Sequence, residues 1–187
     1  MILLTGFGPF GNITKNLSCE ITRKIASEIN NYNIIKRILP VSWKKSKEYY
    51  RHTIEMLSSQ LELVFLLGIH SESRINIEKY GWNVVFGKDV ERKVKFGFIR
   101  WRFPLYKKTI LDVNELYFNL KDKTNVSISY FAGTYMCNYI YYWALIFAKN
   151  KYPVVFIHIP QNLEFSICLK KIEEIIRVVI KMYFKKN

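Results

Sequence analysis

The chain has 187 residues, enough for one domain with a substantial core. Half of the residues are hydrophobic and 16% are aromatic, which excludes general disorder. Lys plus Arg outnumber Asp plus Glu by 29 to 15, a formal charge of +14 that favours anionic partners without indicating any chemistry. The three cysteines (Cys19, Cys137, Cys168) cannot all pair within one chain, and no CxxC occurs. His52, His70 and His158 do not fall at zinc-ligand spacing, so neither a disulfide scaffold nor a metal site is expected. The N-terminus lacks the basic stretch of a signal peptide, and the longest apolar run, residues 139–148, is about half a membrane span. An intracellular protein without a membrane segment is predicted.

In chain order, residues 2–4 form a short apolar strand that ends in a glycine-rich turn, Gly6 to Gly11. Ser18 offers an N-cap for a helix with Ile21, Ile25 and Ile29 on one face. Residues 33–41 are strand-like, and Ser42 opens a second helix running through Tyr50, Ile54, Leu57 and Leu61. Residues 63–68 are a continuous apolar run, the pattern of a strand buried on both faces. Strands follow around 74–86 and 95–103, then a helix near 111–120, a strand at 126–130 and a helix at 134–149. Another buried strand spans 153–158, and a last helix, roughly 166–184, repeats Leu169, Ile172, Ile176, Val179 and Tyr183 at helical steps. Apolar strands alternating with amphipathic helices imply an α/β protein: a single-domain, three-layer α/β/α sandwich over 1–187 with a mixed, mostly parallel sheet.

Candidate chemistry lies at four places. Gly6-Phe7-Gly8-Pro9-Phe10-Gly11 matches G-x-G-x-x-G literally, but helical periodicity resumes only near Ser18, too late for a dinucleotide pyrophosphate to sit on a helix N-terminus. A tight turn, or a loop presenting Phe7 and Phe10 as walls of a small-ligand pocket, suits it better. In Ala132-Gly133-Thr134-Tyr135-Met136-Cys137-Asn138, a small-residue turn sets Cys137 in the first turn of a helix, where the dipole favours a thiolate; a buried structural cysteine is the plainer alternative. His158 ends an apolar strand at a carboxyl edge of the sheet, where a hydrogen-bonded structural histidine is the plainer alternative; Cys137 follows the carboxyl end of its own strand, so both are expected at the same edge. Strand alternation sets Asn76 and Glu78 opposite Ile75 and Ile77. A carboxylate on a covered sheet needs a partner, and a histidine suits it; a solvated surface glutamate beside Lys79 is the plainer alternative.

Together these segments resemble the pyroglutamyl peptidase I family of cysteine peptidases. The resemblance rests on Thr5-Gly6-Phe7-Gly8-Pro9-Phe10-Gly11, on Ile77-Glu78-Lys79 with Asn83, on Ser129 followed by Ala132 to Asn138, and on Phe156-Ile157-His158-Ile159-Pro160. It implies Cys137 as nucleophile, His158 as general base and acid, and Glu78 as the group that orients the imidazole. It also implies Phe7 and Phe10 as the aromatic pair flanking the pyrrolidone ring, and Met136 as the apolar residue beside the nucleophile. The implied substrates are N-terminally pyroglutamylated peptides. The resemblance further implies a cytoplasmic homo-oligomer, dimer or tetramer, with no cofactor. The chain departs from the family pattern at Asn16-Leu17-Ser18, at Ile69-His70-Ser71-Glu72-Ser73, after Asn83 (where Lys88 is the nearest basic residue in register), and at Gln161-Asn162-Leu163-Glu164.

Residues 91–108 interleave Arg92, Lys93, Lys95, Arg100, Arg102, Lys107 and Lys108 with Phe96, Phe98, Trp101, Phe103 and Tyr106. That mixture suits single-stranded nucleic acid, yet an edge hairpin with a solvated basic face and a buried aromatic one accounts for it as well. Nucleic acid is therefore not the expected partner. A homologue that kept the fold and binds without cleaving is the other alternative.

Overall fold

The computed structural model describes residues 1–184. The strands are β1 (Ile2–Phe7), β2 (Glu28–Ile29), β3 (Tyr32–Leu39), β4 (Leu63–His70), β5 (Ile75–Glu78), β6 (Tyr80–Trp82), β7 (Val85–Lys88), β8 (Val94–Gly97), β9 (Tyr106–Lys108), β10 (Val126–Ser129) and β11 (Val154–Pro160). The helices are α1 (Leu17–Lys24), α2 (Trp43–Met56), α3 (Val113–Leu120), α4 (Met136–Ala148) and α5 (Phe165–Phe184). Seven strands form the central sheet in the order β10-β5-β11-β4-β1-β3-β2. β3, β1, β4 and β11 are mutually parallel, whereas β5 runs antiparallel to β11 and parallel to β10. This is the mixed, mostly parallel sheet that the alternating pattern implied.

The period of two along each strand divides the core. Leu63, Phe65 and Leu67 of β4 and Val155, Ile157 and Ile159 of β11 point to one face, where α1, α3 and α5 contribute Ile21, Leu116 and Ile172. Val64 and Leu66, with Val154 and Phe156, point to the other, under Trp43 of α2 and Ile140 and Ala144 of α4. Continuing the alternation puts Gly68, His70 and His158 on the α2/α4 face, and likewise Asn76 and Glu78 of β5.

Several boundaries differ from the sequence expectation. Asn16, not Ser18, caps α1: its Oδ1 accepts from the Ser18 backbone N–H at 3.0 Å, and the Ser18 hydroxyl turns back to accept from the Phe7 N–H at 3.1 Å. The helix stops at Lys24, so Ile25 is its C-cap and Ile29 lies in β2 rather than on the helical face. Ser42 does cap α2, accepting from the Lys45 N–H, but the helix ends at Met56 and Leu57 and Leu61 lie beyond it. The expected strands at 74–86 and 95–103 break up. Only β5 joins the main sheet, while β6 pairs with β9 and β7 with β8 as separate two-stranded sheets. In the β7–β8 hairpin and the loop after it the aromatic face is not buried: Phe86, Phe96, Phe98 and Trp101 are exposed, Phe96 by 83%. The chain there is too short between turns to fold a covering layer over itself.

Candidate active site

Residues from three separated stretches meet on the α2/α4 face. His158 Nδ1 lies 2.6 Å from Glu78 Oε1, a contact between side chains of neighbouring strands with relative exposures of 8% and 1%. The second carboxylate oxygen, Oε2, has no hydrogen-bond partner among the described residues. A buried carboxylate held by so few donors is costly unless its partner carries charge, which favours the imidazolium. Burial by itself lowers the His158 pKa, but the Cys137 charge, a hydrogen bond to Cys137, and the hydrogen bond and charge of Glu78 outweigh it. The net result is a pKa raised to about 10, so that His158 is protonated at neutral pH.

Cys137 reaches this spot by a route other than the expected one. Because β10 runs opposite to β11, their carboxyl ends point to opposite edges of the sheet. The loop 130–135 carries the chain back before α4 begins at Met136, with Tyr135 as an N-cap that supplies no side-chain hydrogen bond. Cys137 therefore stands in the first helical turn, as the motif predicts, over a gap in the sheet. That gap is Gly68, whose strand partner is His158. A Cβ at Gly68 would come within 2.7 Å of the Cys137 sulfur and 2.9 Å of Phe156 Cζ. The missing side chain is the room the thiol occupies.

Neighbouring polar groups fix the frame. Tyr141, one turn along α4 from Cys137 and fully buried, donates its hydroxyl to the Glu78 carbonyl at 3.0 Å. Asn138 donates Nδ2 to the carbonyls of Trp82 and Val84 at 2.9 and 2.8 Å and accepts from the Trp82 N–H, tying α4 to β6. Asn83 ties the loop before β9 by donating to the Arg100 and Phe103 carbonyls. These asparagines stand in the quoted motifs, but their roles needed the fold to be read.

Beside the thiol is a narrow apolar pocket lined by Phe7, Phe10, Asn16, Val41, Ile69, Tyr135, Met136 and Cys137. The expected Phe7, Phe10 and Met136 are all there. Phe7, however, is not a loop residue on display: it ends β1 and is 3% exposed, whereas Phe10 is half-buried in the turn. Sequence reasoning missed Val41, Ile69, Asn16 and the wall formed by Tyr135, whose ring faces Phe10 at 6.4 Å and Trp43 at 5.1 Å. Gly11, with φ +54°, makes the turn and does not enter a helix, so the G-x-G-x-x-G match holds no pyrophosphate. A wider open cavity, about 640 Å³ and lined partly by Lys79, Tyr106, Lys107 and Asn114, has neither thiol nor imidazole among its lining residues. Among the described residues no cluster of His, Cys, Asp and Glu could hold a metal ion, and no helix is long and apolar enough to cross a membrane.

A thiol at a helix N-terminus, an imidazole beside it and a buried carboxylate behind that are an arrangement suited to a cysteine peptidase, the class that the comparisons with known proteins support. The pyroglutamyl peptidase family profile matches residues 1–179, and the chain belongs to that family. It is 31% identical over 173 residues to a pyrrolidone-carboxylate peptidase of Thermococcus litoralis, covering 85% of this chain and 76% of that one. A Clostridium botulinum pyrrolidone-carboxylate peptidase is likewise 31% identical, over 175 residues, at 85% and 78% coverage. The solved Thermococcus litoralis pyrrolidone carboxyl peptidase superimposes with a TM-score of 0.86 at 29% identity, covering 98% of this chain and 93% of that one. A mutant pyrrolidone carboxyl peptidase from Pyrococcus furiosus also gives 0.86, at 25% identity and 99% and 98% coverage.

Proposed function

We propose that the protein removes N-terminal pyroglutamate from peptides through a Cys137–His158–Glu78 triad and an acyl-enzyme. The observation that carries this reading is the buried Glu78–His158 contact at 2.6 Å with the Cys137 sulfur lying over Gly68, the strand partner of His158. In it the Cys137 thiolate attacks the carbonyl that joins pyroglutamate to the next residue. Imidazolium protonates the departing amine, and the neutral ring then activates water to release pyroglutamate. Glu78 keeps Nδ1 engaged, so that Nε2 serves the sulfur and the leaving group. The first backbone N–H groups of α4, which Tyr135 leaves without a side-chain cap, are the donors suited to the oxyanion, an interaction typically worth about 3 kcal/mol.

The neutral lactam has no charge for a charged pocket to grip, and apolar walls of Phe7, Phe10, Tyr135 and Met136 suit its flat ring. The space between them is about 20 Å³, room for roughly one water. A pyrrolidone ring is larger than that, so this reading includes a widening of the pocket on binding. Assembly into a homo-oligomer belongs to the same reading, exposed Phe86, Phe96, Phe98 and Trp101 forming the surface that a partner copy covers.

A fluorogenic pyroglutamyl amide tests the reading. Hydrolysis is expected, lost in Cys137→Ala and on thiol alkylation, and retained in Cys19→Ala and Cys168→Ala. Equal loss on replacing Cys168, or no turnover by the unmodified protein, overturns it.

A further inference from the structure

His70 belongs to none of the roles above, yet it is the nearest titratable ring to His158. It ends β4, in register with Pro160 of β11, while His158 is in register with Gly68. Because Gly68 carries no side chain, the ring of His70 lies diagonally beside that of His158 on the same face. The ring centroids are 5.4 Å apart and the planes 23° from parallel, a stack. From its other side His158 meets Phe156, at 4.8 Å and 55°. The imidazole thus lies in a slot between two rings, with Glu78 gripping one nitrogen as a pivot.

The His70 ring is itself anchored. Its Nε2 is 2.9 Å from the Arg74 carbonyl, which only accepts, so Nε2 carries the proton and a neutral ring leaves Nδ1 bare. Nδ1 is 3.9 Å from Glu72 Oε2, an oxygen already accepting from Asn76 Nδ2 at 2.7 Å; Asn76 in turn accepts from the Ser127 hydroxyl. Asn76 is the strand partner of His158. The slot wall and the strand behind the catalytic ring are thereby one polar network.

We propose that His70 is a positioning residue: its neutral ring is the second wall of the slot that keeps His158 turned toward Cys137, and protonating it loosens that slot. This rests on the peptidase reading above. The charged groups facing His70 are the His158 imidazolium from β11, Glu78 from β5, and Glu72 from the loop after β4, with Cys137 beyond His158. Burial and the charge on His158 hold His70 below its usual pKa, against the pull of the Arg74 carbonyl, Glu72 and Glu78. Two like charges in a stack repel, so the neutral form of His70 is the one compatible with a charged His158. Below the His70 pKa the stack carries two cations and the wall gives way.

The test compares His70→Ala and His70→Phe with the unmodified protein on a pyroglutamyl amide, from pH 5 to 9. For His70→Ala we expect kcat to fall about ten- to a hundredfold while KM changes less than about twofold. His70→Phe restores the wall and should recover most of kcat at pH 8. Having no proton to gain, it should also keep a larger share of its maximal rate at pH 5–6 than the unmodified protein does. Equal impairment in both variants, or normal kcat in His70→Ala, overturns the proposal. Alkylation of Cys137 by iodoacetamide, followed by mass spectrometry, reads the same geometry without substrate. Slowing in His70→Ala and recovery in His70→Phe uphold the positioning role even if no pyroglutamyl amide is cleaved, whereas identical alkylation rates in all three proteins refute it.

Discussion

A thiol reacts according to its charge and its access to solvent, and the chain's cysteines differ in access. Burial pushes Cys168 up to about 12, with Lys171 opposing and Glu164 adding to the shift, and burial also raises Cys19. Cys137 alone among them is not fully buried. Brief alkylation of the native protein should therefore add one adduct, on Cys137, as read by intact-mass and peptide mass spectrometry. Glu78 is the second residue-scale test. Glu78→Gln keeps a hydrogen-bonding oxygen near His158 but removes the charge, and turnover should fall roughly a hundredfold or more. Its stability effect has a defined pH dependence. A histidine whose folded pKa, about 10, exceeds its unfolded value of about 6.5 stabilises the fold fully below pH 6.5, and that contribution fades as pH rises toward 10. The gap in thermal midpoint between the unmodified protein and Glu78→Gln should accordingly be widest near pH 6 and narrow toward pH 10.

Among the elements, glycines mark where backbone layers approach most closely. At Gly6 of β1 a Cβ would meet the Ser18 carbonyl oxygen of α1 at 2.3 Å and Thr22 Oγ1 at 2.6 Å. Gly6→Ala should cost roughly 2 kcal/mol in chemical denaturation, because the helix must lift from the sheet. Gly68→Ala intrudes on the Cys137 sulfur instead; turnover should drop about a hundredfold, with a circular dichroism spectrum like that of the unmodified protein. These elements also set what a sequence can disclose. Continuous apolar runs at β4 and β11 and the three- and four-residue steps of α5 are signatures of local geometry, so strands and helices were legible. The face of Glu78 was legible from its alternation with Ile75 and Ile77, but its burial was not, since a solvated glutamate beside Lys79 carries the same pattern. The direction of β10 was not legible, since antiparallel and parallel strands carry the same side-chain period; Cys137 and His158 do meet, but not by way of the carboxyl end of β10. Nor was the role of Gly68, a residue that matters through the side chain it lacks, or of His70, whose significance lies in a ring on another strand.

For the molecule as a whole, the order of strands in the central sheet has a kinetic consequence. β1, α1 and β3 are close in sequence and their pairing closes a short loop, whereas Glu78 and His158 are 80 residues apart and meet only once β5 has slotted between β10 and β11. Closing that long segment costs chain entropy before any contact offsets it, so this half of the sheet should condense late. After dilution from denaturant, ellipticity should return ahead of Cys137 reactivity toward alkylating agents, and a species with regular secondary structure but an inert thiol should be trappable between the two.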